Sequence, residues 1–251
     1  MKLMETFHAK LSSPEITCSP EENIPGTDLL ADAVHLWQVE LDAEDGSYRV
    51  LWDFLDGTEH QRALRLRSDI DRKRFICAHG VFRIILGRYL GIEPGNVGFT
   101  FNRFDKPCLA SESQLEFSIA HSGDLALFAF TVVGRIGVDV ERIIALDELD
   151  DLEKWSLSAD ERKLSANLPP NERIKTFYKL WTVKEAYLKM LGRGLIDNLN
   201  SLNMVPALFG KEPDWSVEVI SPMSCYLAAL ATETTAGDVV RFRCNSSEFV
   251  N

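Results

Sequence analysis

The sequence predicts an α+β fold of two similar lobes related by pseudo-twofold duplication, each a small antiparallel sheet packed with helices. Strand candidates, helical segments and further strand candidates occur twice in the same order, each time over roughly half of the 251 residues. This order divides the chain into an N-terminal arm at 1–30, an N-terminal lobe at 31–135 and a C-terminal lobe at 136–251.

Prolines, apolar periodicity and a glycine stop define the arm and the N-terminal lobe. Residues 1–30 contain several prolines and are predicted to form a loosely held arm. Apolar residues alternate at 34–41, which predicts a strand, whereas at 71–90 they recur at helical spacing up to Gly91. Short strands separated by turn residues are predicted next, at 97–102, 115–121 and 125–133.

The C-terminal lobe is predicted to begin with a strand at 136–141 and to contain a second long helix. Asn171, after the Pro169–Pro170 break, is the predicted N-cap of that helix, and Gly192 is its predicted C-terminal stop. Three further strands are predicted after it, at 215–220, 226–232 and 238–244.

Composition restricts the class of protein. The net charge of −11 disfavours general binding to nucleic acid. No apolar run approaches the roughly 18 residues that suggest a membrane span, and residues 1–30 hold no apolar segment typical of a secretion signal. Five cysteines without a C-x-x-C spacing argue against a disulfide framework or zinc ribbon. We expect a cytoplasmic protein with no membrane or nucleic-acid partner.

The second long helix carries a carboxylate on its apolar face. Glu185 falls within a stripe of apolar residues, and Lys184 and Lys189 flank it; the stripe comprises Ile174, Phe177, Tyr178, Trp181 and Leu188. A charge on such a face is costly unless a cation or several donors meet it. A structural ion pair and a metal or catalytic role both satisfy this condition, and the helix alone does not separate them.

Two further carboxylates stand on the strand at 136–141. Asp139 and Glu141 are two residues apart, so they share one face of the strand. Paired carboxylates suit Mg²⁺, which takes one or two carboxylates and completes its shell with water and substrate phosphate. A solvated strand face is the alternative explanation for this pair.

Candidate anion-binding groups lie in the N-terminal lobe. His121 ends a predicted strand beside Ser122 and a turn, where backbone N–H groups can hold an anion. The stretch at 62–74 is basic in an otherwise acidic chain and is either a solvated helix face or a site for a phosphate or an acidic partner. It contains Arg62, Arg65, Arg67, Arg72, Lys73 and Arg74.

Several common catalytic motifs do not occur in the sequence. It contains no G-x-x-x-x-G-K-[ST] loop, no G-x-G-x-x-G fingerprint, no G-x-S-x-G elbow and no H-E-x-x-H. The usual signals of P-loop hydrolysis, dinucleotide redox chemistry, serine hydrolysis and zinc proteolysis are therefore missing.

The chain resembles the 4′-phosphopantetheinyl transferases of the larger, Sfp-type branch. The resemblance rests on G-V-D-V-E at 137–141 together with W-T-V-K-E-A-Y-L-K at 181–189. Supporting matches are V-H-L-W at 34–37, D-R-K-R-F at 71–75, K-P at 106–107, F-S-I-A-H-S at 117–122 and L-S-A-D-E at 157–161. The similarity covers residues 34–195.

This resemblance implies a monomer that binds coenzyme A and Mg²⁺ between its lobes. Such an enzyme transfers phosphopantetheine to a serine of an apo acyl or peptidyl carrier protein and releases adenosine 3′,5′-bisphosphate. By position, Asp139, Glu141 and Glu185 would bind the metal. The residues implied to contact coenzyme A are Arg62, Arg74, Lys106, Pro107, His121, Ser122, Lys184 and Lys189. Glu161 or Glu185 would accept the serine proton, and Lys189 would assist catalysis; Glu161 also fits a helix capping box.

Three positions depart from the family pattern. Ser118 and Ala120 stand where the family often has Asn and Ser, and Asp105 stands where it often has Gly. We expect these changes to weaken the contacts with coenzyme A. Two other functions stay open: a module that binds coenzyme A or carrier proteins without turnover, and a Mg²⁺-dependent pyrophosphate or phosphodiester hydrolase.

Overall fold

Helices and small sheets alternate along the chain, which confirms the predicted α+β class. The computed structural model describes residues 15–17, 33–42, 46–194, 198–209, 214–233 and 238–250. Apart from 15–17, the arm predicted at 1–30 lies outside these residues. The α-helices within them are α1 Tyr48–Trp52, α2 Gly57–Arg65, α3 Asp69–Leu90, α4 Leu149–Ser156, α5 Ala159–Ser165, α6 Pro170–Met190 and α7 Val205–Leu208.

The strands form two main sheets and one hairpin. They are β1 Glu15–Thr17, β2 Val34–Glu40, β3 Phe99–Phe101, β4 Pro107–Leu109, β5 Glu116–Ser122, β6 Leu125–Thr131, β7 Ile136–Arg142, β8 Ser216–Ile220, β9 Tyr226–Thr232 and β10 Val239–Asn245. A five-stranded sheet has the order β1-β10-β2-β6-β5, and a three-stranded sheet has the order β7-β9-β8. Strands β3 and β4 pair with each other.

The last strand belongs to the first sheet. The segment predicted at 238–244 forms β10, which runs parallel to β2 with Val239 opposite Val34 and Asn245 opposite Glu40. The five-stranded sheet is therefore mixed, whereas the three-stranded sheet is antiparallel throughout. The predicted C-terminal lobe at 136–251 includes β10, although β10 pairs with β2 in the first sheet. The division into lobes and their pseudo-twofold relation stay predictions.

The two sheets and the two long helices pack in layers. One face of the five-stranded sheet packs against α3, with Trp37 and Phe128 meeting Phe82 and Ile85 in one buried cluster. Its other face meets the three-stranded sheet, in a cluster that includes Leu36, Leu127, Val138, Val140 and Ala228. The far side of the three-stranded sheet packs against α6 through Val183, Ala186, Met190, Ala229 and Ala231. Both faces of β2 are consequently buried.

The ends of α3 and α6 follow local signals. Helix α3 begins after Ser68, whose hydroxyl accepts from the Asp71 N–H, and ends at Gly91 with a φ of 66°. Helix α6 begins at Pro170, so the predicted N-cap at Asn171 is wrong by two residues; the N-cap is Pro169. Because proline lacks a backbone N–H, it suits the first turn of a helix. The chain turns after α6 through Gly192, with a φ of 68°.

Gly137 allows β7 and α6 to approach each other closely. A Cβ atom at this position would lie 2.0 Å from the Ala186 carbonyl oxygen and 2.4 Å from the Met190 nitrogen, both of them backbone atoms. Only glycine leaves this space free. The contact places the carboxylates of β7 beside the charged residues of α6.

Candidate functional site

The structure brings the predicted carboxylates together from β7 and α6. Strand β7 carries Asp139 and Glu141, and helix α6 carries Glu185 and Lys189 one turn apart. The Lys189 Nζ donates to Asp139 Oδ1 at 2.7 Å. The charges of Asp139 and Glu141 both raise the pKa of Glu185, because the three carboxylates lie close enough to repel one another.

Burial makes these carboxylates unusually weak acids. Burial raises the pKa of Asp139, against the opposing charge of Lys189. Burial and the nearby Asp139 raise the pKa of Glu141, and the same causes raise the pKa of Glu185 from 4.5 to about 7. The protein therefore holds negative charge here at a free-energy cost that a bound cation would relieve.

Two carboxylate oxygens of this group have no hydrogen-bond partner. Asp139 Oδ2 and Glu185 Oε1 are both buried and unpaired. Leaving a buried acceptor unsatisfied costs about 1–3 kcal/mol. Among the described residues, no three His, Cys, Asp or Glu side chains are already grouped tightly enough to hold an ion. The hard oxygens fit a divalent cation that takes only one or two protein carboxylates and completes its shell from substrate and water.

Glu141 is oriented by hydrogen bonds from two elements, β5 and α6. The Ser122 hydroxyl donates to Glu141 Oε2 at 2.8 Å and accepts from the Arg142 N–H at 3.1 Å. The Trp181 indole also hydrogen-bonds to Glu141, which opposes the rise in its pKa. From the sequence, Trp181 was predicted only to pack in the apolar stripe of this helix. Its position one turn before Glu185 on the same helix face is the signal that could have indicated a role in the site.

A basic cleft of about 480 Å³ lies beside Ser122. It is lined by Arg62, Arg65, Leu66, Asp71, Arg74, Phe75, His121, Ser122 and Gly123. The Arg74 Nε is buried and has no hydrogen-bond partner. Three guanidinium groups, one of them with an unpaired N–H, suit an anionic ligand such as a phosphate. Arg65, three residues after Arg62 on α2, was predicted only as part of the basic stretch at 62–74 and not among the residues implied to contact coenzyme A.

His121 completes the wall of this cleft as a neutral imidazole. Its ring opens onto the cleft, yet the surrounding protein and the positive charges of His79, Lys189 and Arg62 lower its pKa from 6.5 to about 4. A phosphate in the cleft would oppose this effect, because an anion favours the protonated form of histidine. The predicted pair of His121 and Ser122 thus adjoins both the cleft and the carboxylates.

Comparison with known proteins identifies the family of this constellation. The sequence model of the 4′-phosphopantetheinyl transferase superfamily matches residues 135–220, which include the β7 carboxylates and the whole of α6. The 4′-phosphopantetheinyl transferase HetI of Nostoc sp. (strain PCC 7120 / SAG 25.82 / UTEX 2576) is 37% identical over 215 residues, covering 82% of this chain and 90% of HetI. The chain belongs to the 4′-phosphopantetheinyl transferases.

Other members of the family also match, over a smaller part of the chain. A putative 4′-phosphopantetheinyl transferase of Synechocystis sp. (strain ATCC 27184 / PCC 6803 / Kazusa) is 33% identical over 150 residues, covering 59% of this chain and 61% of that protein. The 4′-phosphopantetheinyl transferase Sfp of Bacillus subtilis (strain 168) is 24% identical over 151 residues, covering 60% of this chain and 66% of Sfp. The predicted membership of the Sfp-type branch is confirmed.

Two residues predicted for the transferase site lie elsewhere. Glu161 and Lys184 are fully buried and form an ion pair of 2.7 Å. Glu161 also closes the capping box of α5 with Ser158, and Lys184 also donates to the carbonyl oxygens of Ser156 and Leu199. The assignments of Glu161 as a base and Lys184 as a contact for coenzyme A are corrected, because neither side chain is open to a substrate.

Lys106 and Pro107 lie at the far end of β7 and do not line the cleft. The Lys106 Nζ is 3.5 Å from the Ile136 carbonyl oxygen, at the start of β7, and burial lowers the pKa of this lysine. At about 3.3 Å per residue, Glu141 stands roughly 16 Å farther along the strand. The contacts predicted from these residues to coenzyme A stay a prediction.

The three departures from the family pattern have structural explanations. Ser118 is buried and its hydroxyl accepts from the Val138 N–H at 3.0 Å, linking β5 to β7. Ala120 is buried in the apolar cluster between the two sheets. These two positions cannot contact a phosphate in the cleft, so the expected weakening through them is not supported. Asp105 has a φ of 61°, a conformation in which glycine is favoured.

Among the helices of the described residues, none is long and apolar enough to cross a bilayer.

Proposed function

We propose that this protein transfers the 4′-phosphopantetheine arm of coenzyme A to a serine of an apo acyl or peptidyl carrier protein. The observation that carries the proposal is the pair of buried, unpaired oxygens of Asp139 and Glu185 beside a cleft of arginines. A pyrophosphate ester is a substrate that needs both features, since its reaction places negative charge on non-bridging and leaving oxygens.

The chemistry is a phosphoryl transfer that requires no nucleophile from the enzyme. The serine oxygen of the carrier forms a bond to the phosphorus that bears the pantetheine, and the bond from that phosphorus to the bridging pyrophosphate oxygen breaks. The serine loses its proton, and adenosine 3′,5′-bisphosphate leaves with the bridging oxygen. The enzyme supplies position and charge.

Named residues can perform these tasks. Asp139, Glu141 and Glu185 would hold Mg²⁺, which when bound supplies positive charge to the phosphate oxygens. Arg62, Arg74 and His121 line the cleft and would hold the phosphates of coenzyme A, and Lys189 stands beside Asp139 to do the same. Because Glu161 is sealed in an ion pair, Glu185 is the remaining candidate to accept the serine proton.

The test is incubation of the protein with coenzyme A, Mg²⁺ and a panel of apo carrier proteins. We expect one carrier at least to gain roughly 340 Da, the mass of one phosphopantetheine group. Glu185→Gln should lose this activity. Glu172→Gln is the matched control, since Glu172 lies on the same helix, its side chain is 41% exposed, and its ion pair with Lys175 is long, at 3.7 Å. No mass gain on any carrier would contradict the proposal.

The same experiment separates the two alternative functions. Tight binding of coenzyme A or of a carrier without product would favour a non-catalytic module. That function was suggested by Ser118, Ala120 and Asp105, of which the first two lie away from the cleft. Breakdown of coenzyme A without a carrier would favour a hydrolase, with water in place of the serine.

We also propose that the protein acts as a cytoplasmic monomer. One chain supplies the cleft, the carboxylates of β7 and the charged residues of α6. The thiols of Cys108 and Cys225 are free, as in proteins of a reducing compartment. Light scattering after size-exclusion chromatography tests the monomer; a stable dimer would contradict it.

A further inference from the structure

A stack of two rings supports the wall of the cleft: Phe75 lines the cleft, and His79 packs against Phe75 outside the lining. Phe75 and His79 lie one turn apart on α3, and their rings stack at a centroid distance of 4.0 Å. The Arg62 guanidinium lies over the Phe75 ring at 5.7 Å. The His121 ring meets both members of the stack by an edge, each at 6.2 Å. Two of the groups that face the cleft therefore rest on one stack.

The stack is itself fixed by a buried network of charges. The His79 Nδ1 donates to Glu59 Oε1 at 2.9 Å, and only 13% of the His79 side chain is exposed. The Arg83 Nε donates to the other oxygen of Glu59 at 2.5 Å, and an Nη of Arg83 binds Asp56 Oδ2. Burial alone would raise the pKa of Glu59, but the hydrogen bond from His79 and the neighbouring charges hold it below 4.5.

This network has a feature that simple core packing does not require. Glu59 already pairs with Arg83 and closes the capping box of α2, so an apolar residue at position 79 would serve packing alone. The Glu59 hydrogen bond instead fixes the plane of the His79 ring, and the ring fixes Phe75 and the edge of His121. Supporting partners of this kind hold ligand-contacting groups in a single orientation.

We propose that His79 is a positioning residue for phosphate binding. It orients the Arg62 guanidinium through Phe75 and the His121 ring by direct contact, so that both groups face the bound phosphate. The inference rests on the proposed function, because it assigns the phosphates of coenzyme A to this cleft. His79 acts through its neighbours and is not among the residues that line the cleft.

The test uses adenosine 3′,5′-bisphosphate and coenzyme A without metal, measured by titration calorimetry on the full chain. His79→Asn keeps a donor toward Glu59 but removes the ring, and His79→Ala removes both. We expect either variant to bind both ligands about tenfold more weakly, the lower end of what such supporting residues contribute. In turnover with a carrier, KM for coenzyme A should rise by the same factor while kcat changes little.

His60→Ala is the matched control. His60 is also half-buried, stacks on Trp52 at 4.1 Å and hydrogen-bonds to the Trp52 carbonyl oxygen. It is not among the residues that line the cleft. We expect the His60→Ala variant to bind both ligands with the affinity of the unaltered protein, even if the variant is less stable.

A second measurement tests whether His79 acts on His121, as the inference requires. The groups whose charges act on His121 are His79, Lys189, Arg62 and Asp71. NMR titration of the His121 ring should show its pKa rising in His79→Asn, because the charge of His79 no longer opposes protonation. If His79→Asn folds, binds both ligands with unchanged affinity and leaves the titration of His121 unchanged, the inference about His79 is overturned and the proposed function still stands. Failure of the unaltered protein to bind either ligand would overturn the proposed function, and this inference with it.

Discussion

Glu185→Gln is the substitution that most directly tests the reading of the carboxylate site. Burial and the charges of Asp139 and Glu141 raise the pKa of Glu185 from 4.5 to about 7. A carboxyl whose pKa is raised on folding stabilises the protein below its unfolded pKa, and this contribution is lost as the pH rises through the folded value. The metal-free protein should therefore lose stability between pH 4.5 and 7.

The size of the effect follows from the same values. Each pH unit between the two pKa values is worth about 1.4 kcal/mol, so the full difference corresponds to roughly 3 kcal/mol at pH 8. The Glu185 side chain is only partly buried, and access of water reduces this to about 1–2 kcal/mol. Gln has nearly the same shape and no charge, so at pH 8 Glu185→Gln should raise the metal-free unfolding free energy by that amount.

The assay is denaturant unfolding at pH 5 and pH 8, with and without Mg²⁺. We expect the variant to gain stability at pH 8 but not at pH 5, to lose most of the stabilisation by Mg²⁺, and to transfer no phosphopantetheine. Glu172→Gln should change none of these. A variant that loses more than about 1 kcal/mol of stability at pH 8 and still transfers phosphopantetheine would contradict the assignment of Glu185 to the metal, because Glu185 would then be a structural partner.

Three further substitutions test the packing that positions the site. Lys184→Met should lower the unfolding free energy by about 3–5 kcal/mol in urea, since it leaves Glu161 charged and unpaired in the core; a loss under 1 kcal/mol would show that the pair is dispensable. Gly137→Ala should lower the unfolding free energy by more than about 3 kcal/mol or prevent folding, because a Cβ cannot lie 2.0 Å from the Ala186 carbonyl oxygen. Thermal unfolding unchanged from the unaltered protein would contradict the close approach of β7 and α6. Asp105→Gly should raise the unfolding free energy, measured by thermal unfolding, by about 0.5–1 kcal/mol, because Asp105 holds a φ of 61°. A destabilised variant would contradict backbone strain at Asp105.

Local pattern was enough to predict most elements and the key carboxylates. The periodicity of apolar residues located α3 and α6 to within two residues at their ends, because helix formation is governed by side chains three and four apart. Alternation on β7 placed Asp139 and Glu141 on one face, and the position of Glu185 within an apolar stripe marked it as unusual. The structure brings these three side chains together.

The packing of α6 determines which of its lysines reaches the carboxylates of β7 and which is enclosed in the core. Lys184 and Lys189 look alike as flanks of Glu185, but α6 is buried on more than one side, so Lys184 is enclosed with Glu161 while Lys189 reaches Asp139. Helix periodicity gives the direction of a side chain and not the element that it will meet.

The tertiary structure also decided the pairing of β10 with β2 and the grouping of Glu59, His79 and His121. These contacts join residues far apart in the chain, such as Val239 and Val34. Their formation depends on the relative placement of whole sheets and helices, for which the sequence contains no local signal. Local sequence patterns were therefore enough to predict the family, the α+β class and the carboxylates, whereas the wall of the cleft and the network behind it depend on how the layers pack.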